Sequence, residues 1–310
     1  MRNEIGQNLP DFLIIGAGKS GTTSLDYYLN QHPEVYMATV KEPNFLAYVE
    51  HDFADISDYE TIQHYKGSIT SYNEYLELFR AAKNNQVIGE ISNTTMYMPH
   101  AISAIKKYLQ EVKLIAILRQ PAERLFSRYS HLLRVGKVPT DSFEKEVFNK
   151  DSIWWKRADL VQEGFYAKHL LPFYNNFDNS NIKVLLFEDL VKDTNATMKE
   201  IVKFLEIKEF NFETDTQFNQ SGKIKNESIN KLVGHESVIM KFLKRSFPNN
   251  YNNIKNNKIL KKTVEKLRAK NIDKVKLNNE LKNKITSDIY QEDILDLQKL
   301  LKKDLSHWLT

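Results

Sequence analysis

One lysine, four hydroxyls and three glycines crowd a single stretch, Gly16-Ala17-Gly18-Lys19-Ser20-Gly21-Thr22-Thr23-Ser24. Residues of these types in one turn suit the binding of an anion. Glycine lets the backbone approach a ligand closely, and free N–H groups at a helix N-terminus favour negative charge. Ser20, Thr22, Thr23 and Ser24 add hydroxyl donors, and Lys19 adds a point charge. The stretch does not have the register of a nucleotide triphosphatase loop, Gly-x-x-x-x-Gly-Lys-Ser/Thr. Anchored on Gly16 and Gly21, the lysine position holds Thr22; anchored on Gly18-Lys19-Ser20, the first glycine position holds Leu13. Lys19 therefore stands inside the loop, and a terminal phosphate on magnesium is not the favoured ligand.

A second group lies a hundred residues on. Arg119 follows an apolar run, and Ser127 comes eight residues later on the helix that Pro121 opens. An arginine at the carboxyl end of a strand can pair with a phosphate through two donors, and a helical serine two turns on can add another. The competing reading of Arg119 is an ordinary surface ion pair. Arg124, Arg128 and His131 share that helix and read as a solvated or structural face. The eight histidines are scattered without metal-ligand spacing.

The elements that must carry these groups alternate. Asp11–Ile15, Val35–Met37, Gln86–Ile91, Lys113–Leu118 and Ile182–Phe187 are short apolar runs of strand type. Helical stripes lie between them: Leu25, Tyr28 and Leu29; Ile102, Ile105 and Leu109; Leu125, Tyr129 and Leu132; Met198, Ile201, Val202 and Leu205. Repeated strand-turn-helix units imply a parallel sheet with helices on both faces and a ligand at the carboxyl ends of its strands. The fold class expected is α/β: a P-loop-like parallel sheet flanked by helices, with a basic, mainly helical C-terminal extension. The core is read as residues 1–230 and the extension as residues 231–310, packed on the core within the same domain.

The chain has 310 residues, 41% hydrophobic and 27% charged, with no cysteine. This excludes disorder, collagen and coiled coil for the whole chain, and also disulfides, thiolate metal sites and cysteine nucleophiles. No apolar run approaches the ~20 residues of a membrane span. The N-terminal residues lack the basic segment and apolar core of a secretory signal, so a soluble cytoplasmic protein is expected. Residues 222–310 carry 20 basic and 10 acidic side chains, against 24 and 30 in residues 1–221. Most of the excess lies between Lys241 and Lys276, read either as a solvated surface stretch or as an arm for a polyanion. No nucleic-acid-binding pattern accompanies it, so no nucleic acid partner is expected.

Three segments together resemble the sulfotransferases that use 3′-phosphoadenosine 5′-phosphosulfate (PAPS). Lys19-Ser20-Gly21-Thr22-Thr23-Ser24-Leu25 is similar to their 5′-phosphosulfate loop. Lys41-Glu42-Pro43-Asn44-Phe45 resembles the Lys-Glu-Pro-x-Phe motif of the heparan-sulfate-type branch (the N- and 3-O-sulfotransferase-like members). Lys113–Tyr129, with Arg119, Arg124 and Ser127, resembles the segment that binds the 3′-phosphate. The match is clear over residues 11–190, weak in Tyr290–Trp308 and poor over 230–280.

The resemblance implies PAPS as donor, adenosine 3′,5′-bisphosphate as product and no metal. It assigns Gly18, Lys19, Ser20, Gly21, Thr22, Thr23 and Ser24 to the 5′ end of the donor, and Arg119 with Ser127 to the 3′-phosphate. Gly222 and Lys223, in Phe218–Lys225, resemble a late loop that closes over the nucleotide. Lys19 would stabilise the transferring and leaving groups. Glu42 would take the acceptor proton, with Lys41, Pro43 and Phe45 giving an extended approach because a residue before proline avoids the helical region. Gly89–Tyr97 resembles a segment beside the acceptor cleft, placing Glu90, Ser92 and Tyr97 with Lys41 as acceptor-side residues. Asn93 stands there for the usual proline, and Ile91 for a lysine of the glycan-modifying members. Gly164–Leu170 resembles the opening of the helix before the last strand, which Pro172 interrupts or limits, and Tyr166 and His169 read as packing residues.

The function expected is sulfuryl transfer to a hydroxyl or amine, with an anionic glycan or a metabolite hydroxyl as acceptor. The alternatives weighed are a P-loop small-molecule kinase and a non-catalytic module for adenine nucleotides or polyanions. Oligomeric state is not read from the residues.

Overall fold

Apolar runs with no polar alternation must be covered on both faces, and the computed structural model arranges them so. It describes residues 6–50, 59–109, 111–135, 137, 142–214, 223–224, 272–273 and 276–310. Five strands, β1 (Phe12–Gly16), β2 (Val35–Met37), β3 (Val87–Ile91), β4 (Lys113–Leu118) and β5 (Ile182–Leu186), form one sheet in the order β2-β3-β1-β4-β5. Every neighbouring pair is parallel. From β1 the chain crosses to β2 and β3 on one side, then to β4 and β5 on the other. The carboxyl end of β1 is thus a topological switch point, where such sheets open a crevice. The β1–β4 register shifts between Ile14 and Gly16, where the strand gives way to the glycine-rich turn.

Helix α1 (Thr22–Leu29) follows that turn. Its Leu25, Tyr28 and Leu29 pack with Met198, Ile201, Val202 and Leu205, and both sets cover Phe12, Ile14, Ile115 and Ile117 of the sheet. The alternate residues Leu13, Ile15, Leu114, Ala116 and Leu118 are equally buried, so both sides are covered. The predicted strands and helices all form, with ends displaced by a residue or two. Short helices that the apolar spacing did not show appear as well: α2 (Phe45–Tyr48), α3 (Tyr59–Lys66) and α4 (Tyr72–Glu77). Helices α2 and α4, of four and six residues, are too short to display a 3.6-residue period.

Beyond β3 come α5 (Ala101–Tyr108), α6 (Pro121–Val135), α7 (Phe143–Val147), α8 (Ile153–Lys156) and α9 (Tyr166–Asn176). Helix α9 runs through Pro172 instead of stopping at it. Proline removes one helical bond; separately, Asp293 caps the start of the helix by accepting from the first-turn amides of Ala167 (3.0 Å) and Lys168 (3.1 Å). Tyr166, Leu170 and Phe173 are buried along the same helix. After β5 come α10 (Phe187–Lys192) and α11 (Thr194–Leu205).

The chain divides into two compact units. One comprises Met1–Arg128, Pro139–Phe218 and Asn278–Thr310; the other comprises Tyr129–Val138 and Asn219–Leu277. The first holds the sheet and a helical C-terminal region, α12 (Asn279–Ile285), a π-helical turn (Thr286–Tyr290) and α13 (Gln291–Leu301). The Gln120 amide ties this region to the core, reaching Thr286 Oγ1 at 2.7 Å and the Trp308 carbonyl at 3.2 Å. In the second unit, β6 (Lys223–Ile224) pairs antiparallel with β7 (Ile272–Asp273). Most of the basic segment 241–276 lies outside the described residues. Among the described residues no helix is long and apolar enough to cross a membrane.

The register sets Gly89 of β3 against Phe12 of β1, and a Cβ built at Gly89 would come 2.1 Å from the Phe12 ring. The ring is fully buried and has no room to move. Gly89→Ala is therefore expected to destabilise the fold by about 1–3 kcal/mol through overpacking. Thermal unfolding measures this, and adding Phe12→Leu should return part of the loss.

Candidate functional site

The glycine-rich turn leaves β1 through hydrogen bonds to the neighbouring strand. The Ala17 amide donates to the Ile117 carbonyl at 2.8 Å, and the Ser24 and Leu25 amides close onto the Gly21 carbonyl at 2.9 and 3.1 Å. Lys19 and Gly21 hold φ values of 68° and 101°. At Gly21 a Cβ would also meet the Phe187 ring at 3.0 Å, so both the backbone and its neighbour call for glycine. No side chain caps α1, which leaves the Thr22 and Thr23 amides at its start for a ligand. Ser20 is fully buried, and its Oγ has no protein partner. A buried hydroxyl without a partner is costly, and here it sits in the turn that the residue types mark for an anion. The residues present therefore fit a phosphate-bearing donor.

The Lys41–Phe45 segment meets this turn directly. Lys41 Nζ donates to Thr23 Oγ1 at 2.6 Å and lies 3.9 Å from Glu42 Oε1. Glu42 Oε1 accepts from Asn93 Nδ2 at 2.8 Å. The extended approach expected before Pro43 does not form. Glu42 has φ 55° and Asn44 φ 56°, both left-handed. Hydrogen bonds outweigh the local preference: the Glu42 amide donates to the Ile91 carbonyl at 2.9 Å, and Asn44 Nδ2 donates to the Glu42 carbonyl at 2.8 Å. Asn93 was noted in the sequence only as a departure from proline. That departure was the signal, since an amide in place of a ring supplies a donor to the carboxylate.

Behind this layer lies a buried polar network. Glu90 is 1% exposed, and its carboxylate accepts from Tyr75 and, at 2.5 Å, from Ser92 Oγ. Ser92 Oγ in turn accepts from the Asn44 amide at 3.0 Å, and Thr94 Oγ1 donates to Asn44 Oδ1 at 2.6 Å. Burial raises the Glu90 carboxyl above its ordinary value, against the two hydroxyl donors. Glu90 thus stands under the Glu42 segment, enclosed by protein. Tyr97 is half-buried, and burial pushes its phenol well up, with Glu163 and Asp159 adding to the shift.

Arg119 ends β4. Its Nε and Nη2 donate to Glu123 Oε2 at 3.3 and 2.9 Å, and its guanidinium lies 4.8 Å from the centre of the Phe187 ring. Ser127 is buried at 4% exposure on α6. Gly222 lies outside the described residues, as does the Lys223 side chain. Arg124 is fully buried and belongs to no solvated face. Its Nη1 donates to Glu163 Oε2 at 2.8 Å, and its Nη2 to the Leu160 carbonyl. Glu163 Oε1 accepts from the Gly18 amide at 2.6 Å. Arg128 and Arg157 share Asp159, whose carboxyl they hold far down despite burial. Sequence reasoning missed Glu163, which lies 145 residues from its partner Gly18.

Burial pushes the Glu163 carboxyl up to about 7, while Arg124 pulls the other way. A folded value above the unfolded one means the native state holds an extra proton between about pH 4.5 and 7. Its favourable contribution is complete below about pH 4.5 and is lost as pH rises through about 7. Relative to Glu163→Gln, which does not titrate, the wild type should lose stability as pH rises across that window. Chemical denaturation of both proteins at several pH values measures it, and a pH-independent difference would contradict the assignment.

Residues 9–302 match the family model described as the sulfotransferase domain. Human (Homo sapiens) carbohydrate sulfotransferase 15 is 27% identical over 251 residues, covering 64% of this chain and 44% of that protein. Heparan sulfate glucosamine 3-O-sulfotransferase 3A1 of Mus musculus is 29% identical over 233 residues, covering 71% of this chain and 51% of that protein. The chain thus spans about half the length of the curated relatives it matches. The crystal structure of a sulfotransferase from Alicyclobacillus acidocaldarius covers 98% of this chain and 100% of its own, with a TM-score of 0.67 at 23% identity, and shows the same fold. With the parallel sheet, the glycine-rich turn after its central strand and a match over nearly its whole length, the chain belongs to the sulfotransferase domain family.

Proposed function

We propose that this chain transfers a sulfuryl group from PAPS to a hydroxyl or amine, with a glycan as the favoured acceptor. The carrying observation is the hydrogen-bonded chain Thr23–Lys41 and Glu42–Asn93, which sets a carboxylate beside the donor turn. When bound, PAPS supplies the sulfuryl group and departs as the 3′,5′-bisphosphate.

The residues divide the work. Within Gly18 to Ser24, the 5′ end is received by the Thr22 and Thr23 amides at the α1 N-terminus and by the buried Ser20 hydroxyl, while the Gly18 and Ser24 amides are bonded within the protein and shape the turn. Lys19 brings positive charge to the bridging oxygen, where negative charge grows as the S–O bond breaks. Glu42 accepts the acceptor's proton as its oxygen or nitrogen bonds to sulfur. Asn93 fixes one carboxylate oxygen of Glu42, and Lys41 keeps the segment against Thr23. Arg119 and Ser127 receive the 3′-phosphate. The Glu123 contact uses only two of the guanidinium's five N–H donors. Ser92 and Glu90 support the Glu42 segment from below, and Tyr97 flanks the acceptor side. The named activities of the two relatives favour a carbohydrate acceptor.

Transfer of radiolabelled sulfate across glycan, lipid and metabolite acceptors tests the proposal. With an accepting substrate, Lys19→Ala should lose about 10²–10³ in rate, and Glu42→Gln about 10²–10⁴. Wild-type rates in either variant would remove the role given to that residue. Calorimetry should show binding of adenosine 3′,5′-bisphosphate without magnesium. Tight binding of ATP-magnesium in its place would point to phosphoryl transfer.

A further inference from the structure

The donor turn is braced by a side chain from a distant part of the chain. Glu163 accepts the Gly18 amide proton on one oxygen at 2.6 Å and the Arg124 guanidinium on the other at 2.8 Å. Glu163 is 3% exposed and Arg124 fully buried, so neither reaches open solvent. The turn lies flush against the carboxylate: a Cβ built at Gly18 would stand 2.9 Å from Glu163 Oε1. Glycine at this position is therefore required by close approach to Glu163. Arg124 belongs to α6, the helix that begins just after Arg119 and carries Ser127. The chain Gly18–Glu163–Arg124 thus joins the turn assigned to the 5′ end of the donor to the helix assigned to its 3′ end. Other charged or titratable groups around Glu163 are Arg128, Asp159, Tyr97, Tyr166 and Tyr290.

We propose that Glu163 is a positioning residue for the donor turn, setting the Gly18 backbone at a fixed distance from α6 so that both ends of one nucleotide are met together. This rests on the reading of PAPS as donor. Arg124 acts through Glu163, orienting its carboxylate and lowering the cost of burying it. Neither side chain touches the reacting atoms. The function of the pair is to hold a loop whose amides face a ligand and cannot hold the loop themselves.

The test separates the two ends of the ligand. Wild type and Glu163→Ala are titrated calorimetrically with adenosine 3′,5′-bisphosphate, adenosine 5′-monophosphate and adenosine 3′-monophosphate. Loss of a charged hydrogen bond to the turn should weaken the two 5′-phosphorylated ligands about tenfold to a hundredfold, leaving the 3′-monophosphate within about twofold. Equal weakening of all three, or none, overturns the proposal while the donor reading stands. Failure of the wild type to bind the bisphosphate removes both. Glu163→Asp, which keeps the carboxyl group but shortens the reach, carries the same comparison if the alanine variant does not fold. Its loss should be smaller and fall on the same two ligands.

Discussion

A turn that is to offer its amides to a ligand faces a structural constraint: those amides cannot also hold the turn together. Everything else around the carboxyl end of β1 follows from that. The Ala17 amide is tied to β4, the Gly18 amide to Glu163, and the Thr23 hydroxyl to Lys41. Each anchor comes from a different part of the chain. The turn is thereby stiff without a helical or sheet ladder of its own, and the Ser20 hydroxyl can stay buried with no protein partner. Preorganised polar groups of this kind need little reorganisation when charge arrives.

The sheet order explains why the anchors can converge. Because β1 is central, β3 lies on one side and β4 on the other, and each delivers its following segment to the same edge. β3 runs into Ser92 and Asn93, which hold Asn44 and Glu42. β4 runs into Arg119 and then α6, which carries Arg124 and Ser127. A sheet with β1 at its edge would have supplied only one of these two neighbours. The burial of both faces also matters, since a strand flexing under the turn would move every donor at once.

How much of this was legible depends on distance along the chain. The strands and longer helices were readable because period and apolar length are local properties, and the donor turn because its residue types are contiguous. The Lys41–Phe45 segment was visible as a motif, but its backbone was misjudged. The rule for residues before proline is local, whereas the left-handed Glu42 is imposed by Ile91 and Asn44. Arg124 read as part of a solvated or structural face because arginines at helical spacing usually lie outside. Its burial depends on Glu163 and Leu160, which no local pattern could supply. Pro172 reads locally as interrupting or limiting its helix, but Tyr166, Leu170 and Phe173, buried along it, keep the helix running through.

Three glutamates around the carboxyl ends of β1 and β3 show how environment sorts a single side chain into different surroundings. Glu90 is enclosed and meets only hydroxyl donors, so burial favours its neutral form and it serves as a fixed acceptor beneath the Glu42 segment. Glu163 is equally enclosed but faces a guanidinium and an amide, which partly offset the cost of its charge. Glu42 is only half-buried, with one oxygen fixed by Asn93. A proton acceptor needs an oxygen that a substrate can approach, and a brace needs one that nothing can displace. Of the three, only Glu42 meets the first condition. Glu163 meets the second: it is enclosed and held against the Gly18 amide and Arg124, which is the geometry the proposed positioning role requires.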